Sequence, residues 1–463
     1  MGKSGAGDSA GEFRVLVDNG EYWLRNRGDL AMMVITVERL RGRWPHARIG
    51  MLTDQPLVMR ALLPEAEPVF AAAGGHWGRG GLAGWVDQQA SARVTGPAAL
   101  HWRAATEVPK HHLRGVRDQV RDQVRALRGG ERPRPRATGA IPDLPPVPAA
   151  LADAGLVIAQ GGGYMTDIDL YQAHRTLNLL EAAQRQGIPN VMLGQGLGPM
   201  ADPELLRRCA EVLPGVDYIG LREGVQGPKL LAELGVSAER FLVTGDDAVE
   251  FSYRLRRPEI GADLGLCLRI SDYSKVSDSA RDTLGAVVRE QAVALDTHLA
   301  PLIISEYDDE DRRFTLPLLA GAPKVRPVLG RAGSADDCAR QVSRCRILVT
   351  SAYHLAVFAL SQGIPAVAVT ASQYYDDKFN GLADMFGAGL RVVPLAVDDL
   401  ETELTRAVRE LWESAPELRD TLQQQAVEQI DAGRAGLDRV FRLVAGGREG
   451  DRPADTAVPA QGE

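Results

Sequence analysis

One histidine and a few basic side chains stand where they could do chemistry. His354 lies in Thr350-Ser351-Ala352-Tyr353-His354, directly after the apolar run Ile347-Leu348-Val349. That run has strand length, Ser351 suits an N-cap, and Leu355, Val357, Phe358 and Leu360 fit a short buried helix. Gly363 closes the helix, and Ile364-Pro365 leads into a second apolar run at residues 366–370. The pattern is a βαβ unit, which implies a parallel sheet. Tyr353 and His354 then fall beyond a strand's carboxyl end, in the crevice where open parallel sheets take ligands. Free amides and the positive dipole end of the helix favour an anion there. A histidine among apolar residues reads equally as a core residue. Its place at a helix N-terminus favours a neutral imidazole that can accept a proton.

Cations recur at similar positions. Arg222 follows the apolar stretch 217–221, and Arg269 lies near the end of 264–270. Lys378 sits in Tyr374-Tyr375-Asp376-Asp377-Lys378-Phe379, which reads as a polar-aromatic loop. A guanidinium at a strand end suits a phosphate or carboxylate, and pairing with Glu223 is the alternative for Arg222. Two glycine-rich loops follow strands. Gly161-Gly162-Gly163-Tyr164 comes after Leu156-Val157-Ile158-Ala159-Gln160, and Gly194-Gln195-Gly196-Leu197-Gly198-Pro199 comes after residues 190–193. Glycines let a backbone approach a ligand and leave its N–H groups open to an anion. Neither loop is GxGxxG and no Walker lysine follows, which excludes a dinucleotide fingerprint and a P-loop. Asp246-Asp247 reads either as acid–base chemistry or as a turn and helix cap. Asp29, after Asn26-Arg27-Gly28, reads as a helix N-cap.

The elements that hold these residues run as alternating strands and helices. Residues 13–17, 47–52, 156–160, 190–193, 217–221 and 241–243 read as strands of a first half. Residues 264–270, 302–305, 325–329, 347–349, 366–370 and 390–393 read as strands of a second. Residues 1–12 and 446–463 read as disordered ends. We divide the chain into 13–257, with an irregular insertion at 71–148, 258–396, and C-terminal helices at 397–445. Within the insertion, residues 108–128 form a basic helical pattern of alternating charge, read as a solvated face, and Lys110, His111 and His112 as a solvated loop. The Pro-rich stretch 134–148 reads as exposed.

Bulk properties narrow the classes. With 463 residues, 45% apolar and 25% charged, the chain is of ordinary globular composition. A formal charge of −8 argues against a nucleic-acid surface. No apolar run is long enough to cross a bilayer, and no secretory signal is expected. The four cysteines form no CxxC pair and no metal spacing, and read as buried free thiols in a reducing cytoplasm.

The ordered set Asn26-Arg27-Gly28-Asp29, Gly161-Gly162-Gly163, Gly194-Gln195-Gly196-Leu197-Gly198-Pro199, Arg222-Glu223, Gly245-Asp246-Asp247, Leu268-Arg269, Tyr353-His354, Gly363-Ile364-Pro365 and Tyr375, Lys378, Gly381 resembles the polysaccharide pyruvyl transferase family. The resemblance implies an α/β protein with two Rossmann-like domains facing across a cleft, a GT-B-like arrangement of parallel sheets, with the long C-terminal helix crossing back to the first domain. It implies phosphoenolpyruvate as donor, a sugar or glycoconjugate as acceptor, phosphate release, and no cofactor or metal. His354 and Arg222 are the expected catalytic residues. Asn26, Asp29, Gly162, Gly163, Tyr164, Gln195, Gly196, Arg269, Ser351, Tyr353, Tyr375 and Lys378 are the expected substrate contacts. The arginine that the family places beside the histidine is Ala352 here, which leaves Arg269 or Lys378 to compensate. The alternatives are a nucleotide-sugar glycosyltransferase of the same architecture, a transferase or ligase of natural-product biosynthesis, and a non-catalytic binding protein. A homo-oligomer is left open.

Overall fold

The computed structural model describes residues 12–71, 74–106, 143–271, 274–307 and 311–450. The basic pattern at 108–128, with Lys110, His111 and His112, lies outside them, as do the outermost residues of both ends. Two sheets form, each parallel throughout. The first has the order β3-β2-β1-β4-β5-β6-β7. Its strands are β1 (Arg14–Asp18), β2 (Arg48–Thr53), β3 (Glu67–Phe70), β4 (Leu156–Ala159), β5 (Asn190–Gln195), β6 (Tyr218–Leu221) and β7 (Phe241–Val243). The second has the order β12-β11-β10-β8-β9. It is built from β8 (Asp263–Cys267), β9 (Leu299–Pro301), β10 (Cys345–Thr350), β11 (Ala366–Thr370) and β12 (Leu390–Pro394).

Parallel strands covered on both faces must be apolar along their whole length. β4 and β11 are buried at every position. Along β1, Val15 and Val17 face one core while Leu16 faces the other. Along β10, Ile347 and Val349 face one core and Leu348 the opposite one. The strand order sets where a ligand crevice opens. In each sheet the winding reverses at one point, between β1 and β4 in the first and between β8 and β10 in the second. The loops after those strands diverge and leave a gap at the carboxyl ends.

The halves are tied together at the base of the gap. Arg27 is buried, and its guanidinium donates to the carbonyls of Ile303 (2.8 Å), Gly333 (2.8 Å) and Gly330 (3.1 Å) and to Glu306 (3.2 Å). Asn26 forms a one-residue antiparallel bridge with Ser305. The Leu400–Gly450 helix runs across both halves. Leu404, Val408 and Leu411 pack on the second sheet, and Leu437, Val440 and Val444 on the first.

Several local expectations are corrected. The strand expected at 302–305 lies three residues earlier, at Leu299–Pro301, where it pairs with residues 264–266 of β8. Beyond it, the Ile304 and Ser305 amides bond the Asp311 carboxylate instead. Residues 325–329 contribute one bridge, Val325 to Leu299, and no ladder. The aromatic segment at 374–379 is not a loop but the start of the Gln373–Phe386 helix, whose Phe379, Leu382 and Phe386 point into the core. The cap of the Arg27–Arg43 helix is Asn26, whose side chain accepts from the Gly28 amide, and Asp29 lies in the first turn. The start of the tail, as far as Gly450, continues the last helix. Part of the insertion is regular, a helix at Gly81–Ala90.

Candidate active site

A cavity of about 300 Å3 opens between the two reversal points, within the usual range for small-ligand sites. The first half contributes Asn19, Gly20 and Glu21 from the loop after β1, and Asn26 and Asp29 from the Arg27–Arg43 helix and its cap. It also contributes Gly163, Tyr164, Ile168 and Asp169 from the loop after β4, and Arg222 from the end of β6. The second half contributes Arg269 after β8, Tyr307, Tyr353 and His354, and then Tyr374, Tyr375 and Lys378 from one helix face.

Arg222 is held by what surrounds it. Its amide bonds the Gln195 carbonyl at 3.0 Å, which extends the β5–β6 ladder by one rung. The guanidinium lies over the Tyr353 ring, 4.3 Å from its centroid. A β-carbon on Gly196 would overlap the guanidinium, so only glycine leaves room for this packing. Glu223 is not its partner. That carboxylate takes the Val225, Gln226 and Gly227 amides at 2.7, 2.9 and 2.6 Å and caps the next helix.

Lys378 reaches the same space and donates to the Tyr374 hydroxyl, which in turn donates to the Gly163 carbonyl at 3.0 Å. Burial, and then the Arg222 charge, hold the Lys378 amine well below its ordinary value. Arg269 is paired with the buried Asp311 through Nε at 2.8 Å. His354 packs so closely on Gly28 that a β-carbon there would overlap the imidazole. Burial, then Arg222, Arg269 and Lys378, push its pKa well below the ordinary histidine value, so the ring is neutral. Asp29 shows the opposite effect. Burial, then Glu21 and Asp246, raise its carboxyl to about 8, so it carries a proton at neutral pH. The cavity thus holds a neutral imidazole and a protonated carboxyl beside the guanidinium groups of Arg222 and Arg269 and the Lys378 amine.

Ten of the fourteen expected residues line this cavity, and four do not. Gln195 is buried beneath it, where Nε2 donates to the carbonyls of Ala159 and Gln160 and to the Tyr164 hydroxyl. It holds the two glycine loops together and is not among the residues that line the cavity. Gly196 is spacing for Arg222. Gly162 offers its carbonyl to the Gly196 amide at 2.9 Å. Ser351 is not the helix cap, which is Ala352 without a side-chain bond. Its hydroxyl oxygen accepts from the Arg269 amide at 2.6 Å and ties the ends of β8 and β10.

Other lining residues were not singled out from the sequence. Asn19 and Glu21 lie beyond β1, so the strand-end rule that marked Arg222 applies to them too. Tyr374 belongs to the aromatic run already noted. Asp246 lies behind the cavity wall. It does cap a helix start, with Oδ1 accepting from the Ala248 amide at 2.9 Å. Its other oxygen lies 3.7 Å from His354 Nε2 and 3.9 Å from Arg222 Nη1. Burial raises this carboxyl to about 6.

A model of the polysaccharide pyruvyl transferase family matches residues 26–373. The chain belongs to that family. It is accordingly an enzyme of the transferase class. No curated protein matches it by sequence. Among solved structures it is similar to the UDP-GlcNAc 2-epimerase of Neisseria meningitidis bound to UDP-GlcNAc, at 12% identity and TM-score 0.52, covering 94% of this chain and 100% of that one. The same enzyme from Methanocaldococcus jannaschii gives 12% identity and TM-score 0.52 over the same shares. The Staphylococcus aureus MnaA–UDP structure gives 12% and 0.51, over 96% and 100%. At these identities the likeness shows the fold, the GT-B-like pair of parallel sheets. Among the described residues, no group of three or more His, Cys, Asp or Glu could hold a metal ion. No described helix is long and apolar enough to cross a membrane. All four cysteines are buried and unpaired.

Proposed function

We propose that this transferase moves the pyruvyl group of phosphoenolpyruvate onto a sugar-bearing acceptor and releases phosphate. The observation that carries the reading is the convergence of Arg222, Arg269 and Lys378 on a cavity that also holds a neutral His354 and a protonated Asp29. Phosphoenolpyruvate carries a phosphate and a carboxylate, and charge-assisted bonds to such groups contribute about 1.5–3 kcal/mol each. Lys378 supplies the charge that Ala352 lacks. Its amine has lost much of its solvation, so an arriving anion restores its proton affinity and binds the more strongly for it.

In the first step an acceptor hydroxyl attacks C2 of the enol. His354 takes the hydroxyl proton as the C–O bond forms, and Asp29 protonates C3, which becomes a methyl group. In the second step a neighbouring hydroxyl attacks C2 and gives its proton to the Asp29 carboxylate, the C–O bond to phosphate breaks, and phosphate leaves with the proton held by His354. The product is a pyruvate ketal. Atoms balance without a cofactor. Asn26, Tyr164 and Tyr375 line the same cavity and are the proposed contacts of the acceptor. The cytoplasm is the proposed location, in keeping with four free thiols.

The test is phosphate release from phosphoenolpyruvate with candidate glycan acceptors, for the wild type and for His354→Ala and Arg222→Ala. Each variant is expected to lose at least about 100-fold in kcat/KM, the scale of one acid–base or oxyanion contact. Unchanged turnover in both removes the site assignment.

A further inference from the structure

We infer that Asp246 is the positioning residue of His354: its carboxylate takes the proton on Nε2, which fixes the imidazole as the tautomer that offers Nδ1 to the acceptor hydroxyl. The inference rests on His354 being the base proposed above. Two atoms carry it. Oδ2 of Asp246 and Nε2 of His354 are both enclosed by protein, and neither has a hydrogen-bond partner. They face one another at 3.7 Å. Buried polar atoms are nearly always paired, and two orphans this close need only a small ring rotation to pair with each other. Catalytic hydrogen bonds are often long before the substrate is bound.

The surroundings leave this oxygen to the histidine. Oδ1 is already held by the Ala248 amide. Asp247, next in the chain, is committed to Arg39 at 2.7 Å and does not compete. The charged and titratable groups that face Asp246 are Arg222 from the end of β6, Lys378 from the Gln373–Phe386 helix, the protonated Asp29 from the Arg27–Arg43 helix, Tyr353 beside His354, and Asp247 from its own loop. Arg222 Nη1 is 3.9 Å from the same oxygen, so one carboxylate steadies both the base and the main anion ligand. When His354 takes the hydroxyl proton at Nδ1, the imidazolium forms beside a carboxylate that keeps its charge. The proton then leaves with phosphate, and Asp246 ends the cycle unchanged.

The experiment is nitrogen-15 NMR of the histidine side chains of the full chain, comparing wild type, Asp246→Asn and Asp246→Glu without substrate. The wild type is expected to show His354 as a single neutral tautomer protonated on Nε2. In Asp246→Asn, whose side-chain amide can donate to the ring, the Nδ1-protonated form should gain population. In kinetics, the asparagine variant is expected to lose about 10²–10⁴ in kcat, the scale of a triad carboxylate-to-amide change, and to lose the acid limb of its pH profile. The glutamate variant should recover part of both. An unchanged His354 tautomer in Asp246→Asn overturns the proposal, whatever the activity. A tautomer shift in a protein that does not turn over phosphoenolpyruvate upholds it and overturns the assigned reaction instead.

Discussion

Asp29 and His354 owe their states to one enclosure. Loss of water disfavours charge on both, which leaves the carboxyl protonated and the imidazole neutral. Two groups whose environments push their proton affinities apart can serve as acid and base at one pH. The consequence for rate is a bell. Activity rises as pH climbs through about 6, where Asp246 ionises, and falls above about 8, where Asp29 loses its proton. His354 titrates well below its usual range and sets neither limb. Asp29→Asn is expected to abolish the alkaline limb and to cut the rate by about 100-fold or more. It also bears on stability. The native Asp29 carboxyl binds its proton more tightly than in the unfolded chain, where the pKa is about 4. Its contribution is therefore full below that value and is lost as pH rises toward about 8. The asparagine variant should melt a few degrees above the wild type at pH 8, and that margin should shrink at pH 5 in calorimetric scans. An identical difference at both pH values would contradict the assigned state of Asp29.

At the scale of elements, the glycine loops act mainly as scaffolding. Gly196→Ala places a methyl group where the Arg222 guanidinium lies. The expected result is a loss of 10²-fold or so in kcat/KM, with little change in melting temperature, since the displaced side chain borders a cavity. Equal activity would mean that Arg222 need not occupy its observed position. Much of this layer was readable in advance. Runs such as Leu156–Ala159 and residues 347–349 are apolar throughout because both sheet faces are covered, and the residues after such a run mark the crevice. Arg222, Tyr353 and His354 were legible on that ground. Other features depend on particular partners. Past β9 the Ile304 and Ser305 amides go to the Asp311 carboxylate, a partner that no strand pattern shows. The helix at Gln373–Phe386 hides behind a first turn that mixes acids with tyrosines, although Tyr374 and Tyr375 already join Phe379 in the core. Gln195 looked like a ligand residue because its loop did, yet its side chain is spent on the Ala159 and Gln160 carbonyls and the Tyr164 hydroxyl. Asp246 read either as a cap or as an acid, and it is a cap through one oxygen while the other faces His354.

On the scale of the whole molecule, the site exists only while the two sheets face each other. Arg27 crosses from the first half to carbonyls of the second, and the Leu400–Gly450 helix packs on both cores. Neither device touches the cavity, and together they fix the distance between its walls. In the proposed reaction the anionic donor is gripped from both sides, by Arg222 on one and by Arg269 and Lys378 on the other. Direct calorimetric titration tests that claim most simply, with phosphoenolpyruvate and UDP-N-acetylglucosamine each added to the wild type and to Arg222→Met. Saturable binding of phosphoenolpyruvate that weakens by about 10- to 100-fold in the variant, the equivalent of one charge-assisted contact, is the predicted result. Binding of the nucleotide sugar alone, or a phosphoenolpyruvate affinity that ignores Arg222, would contradict it.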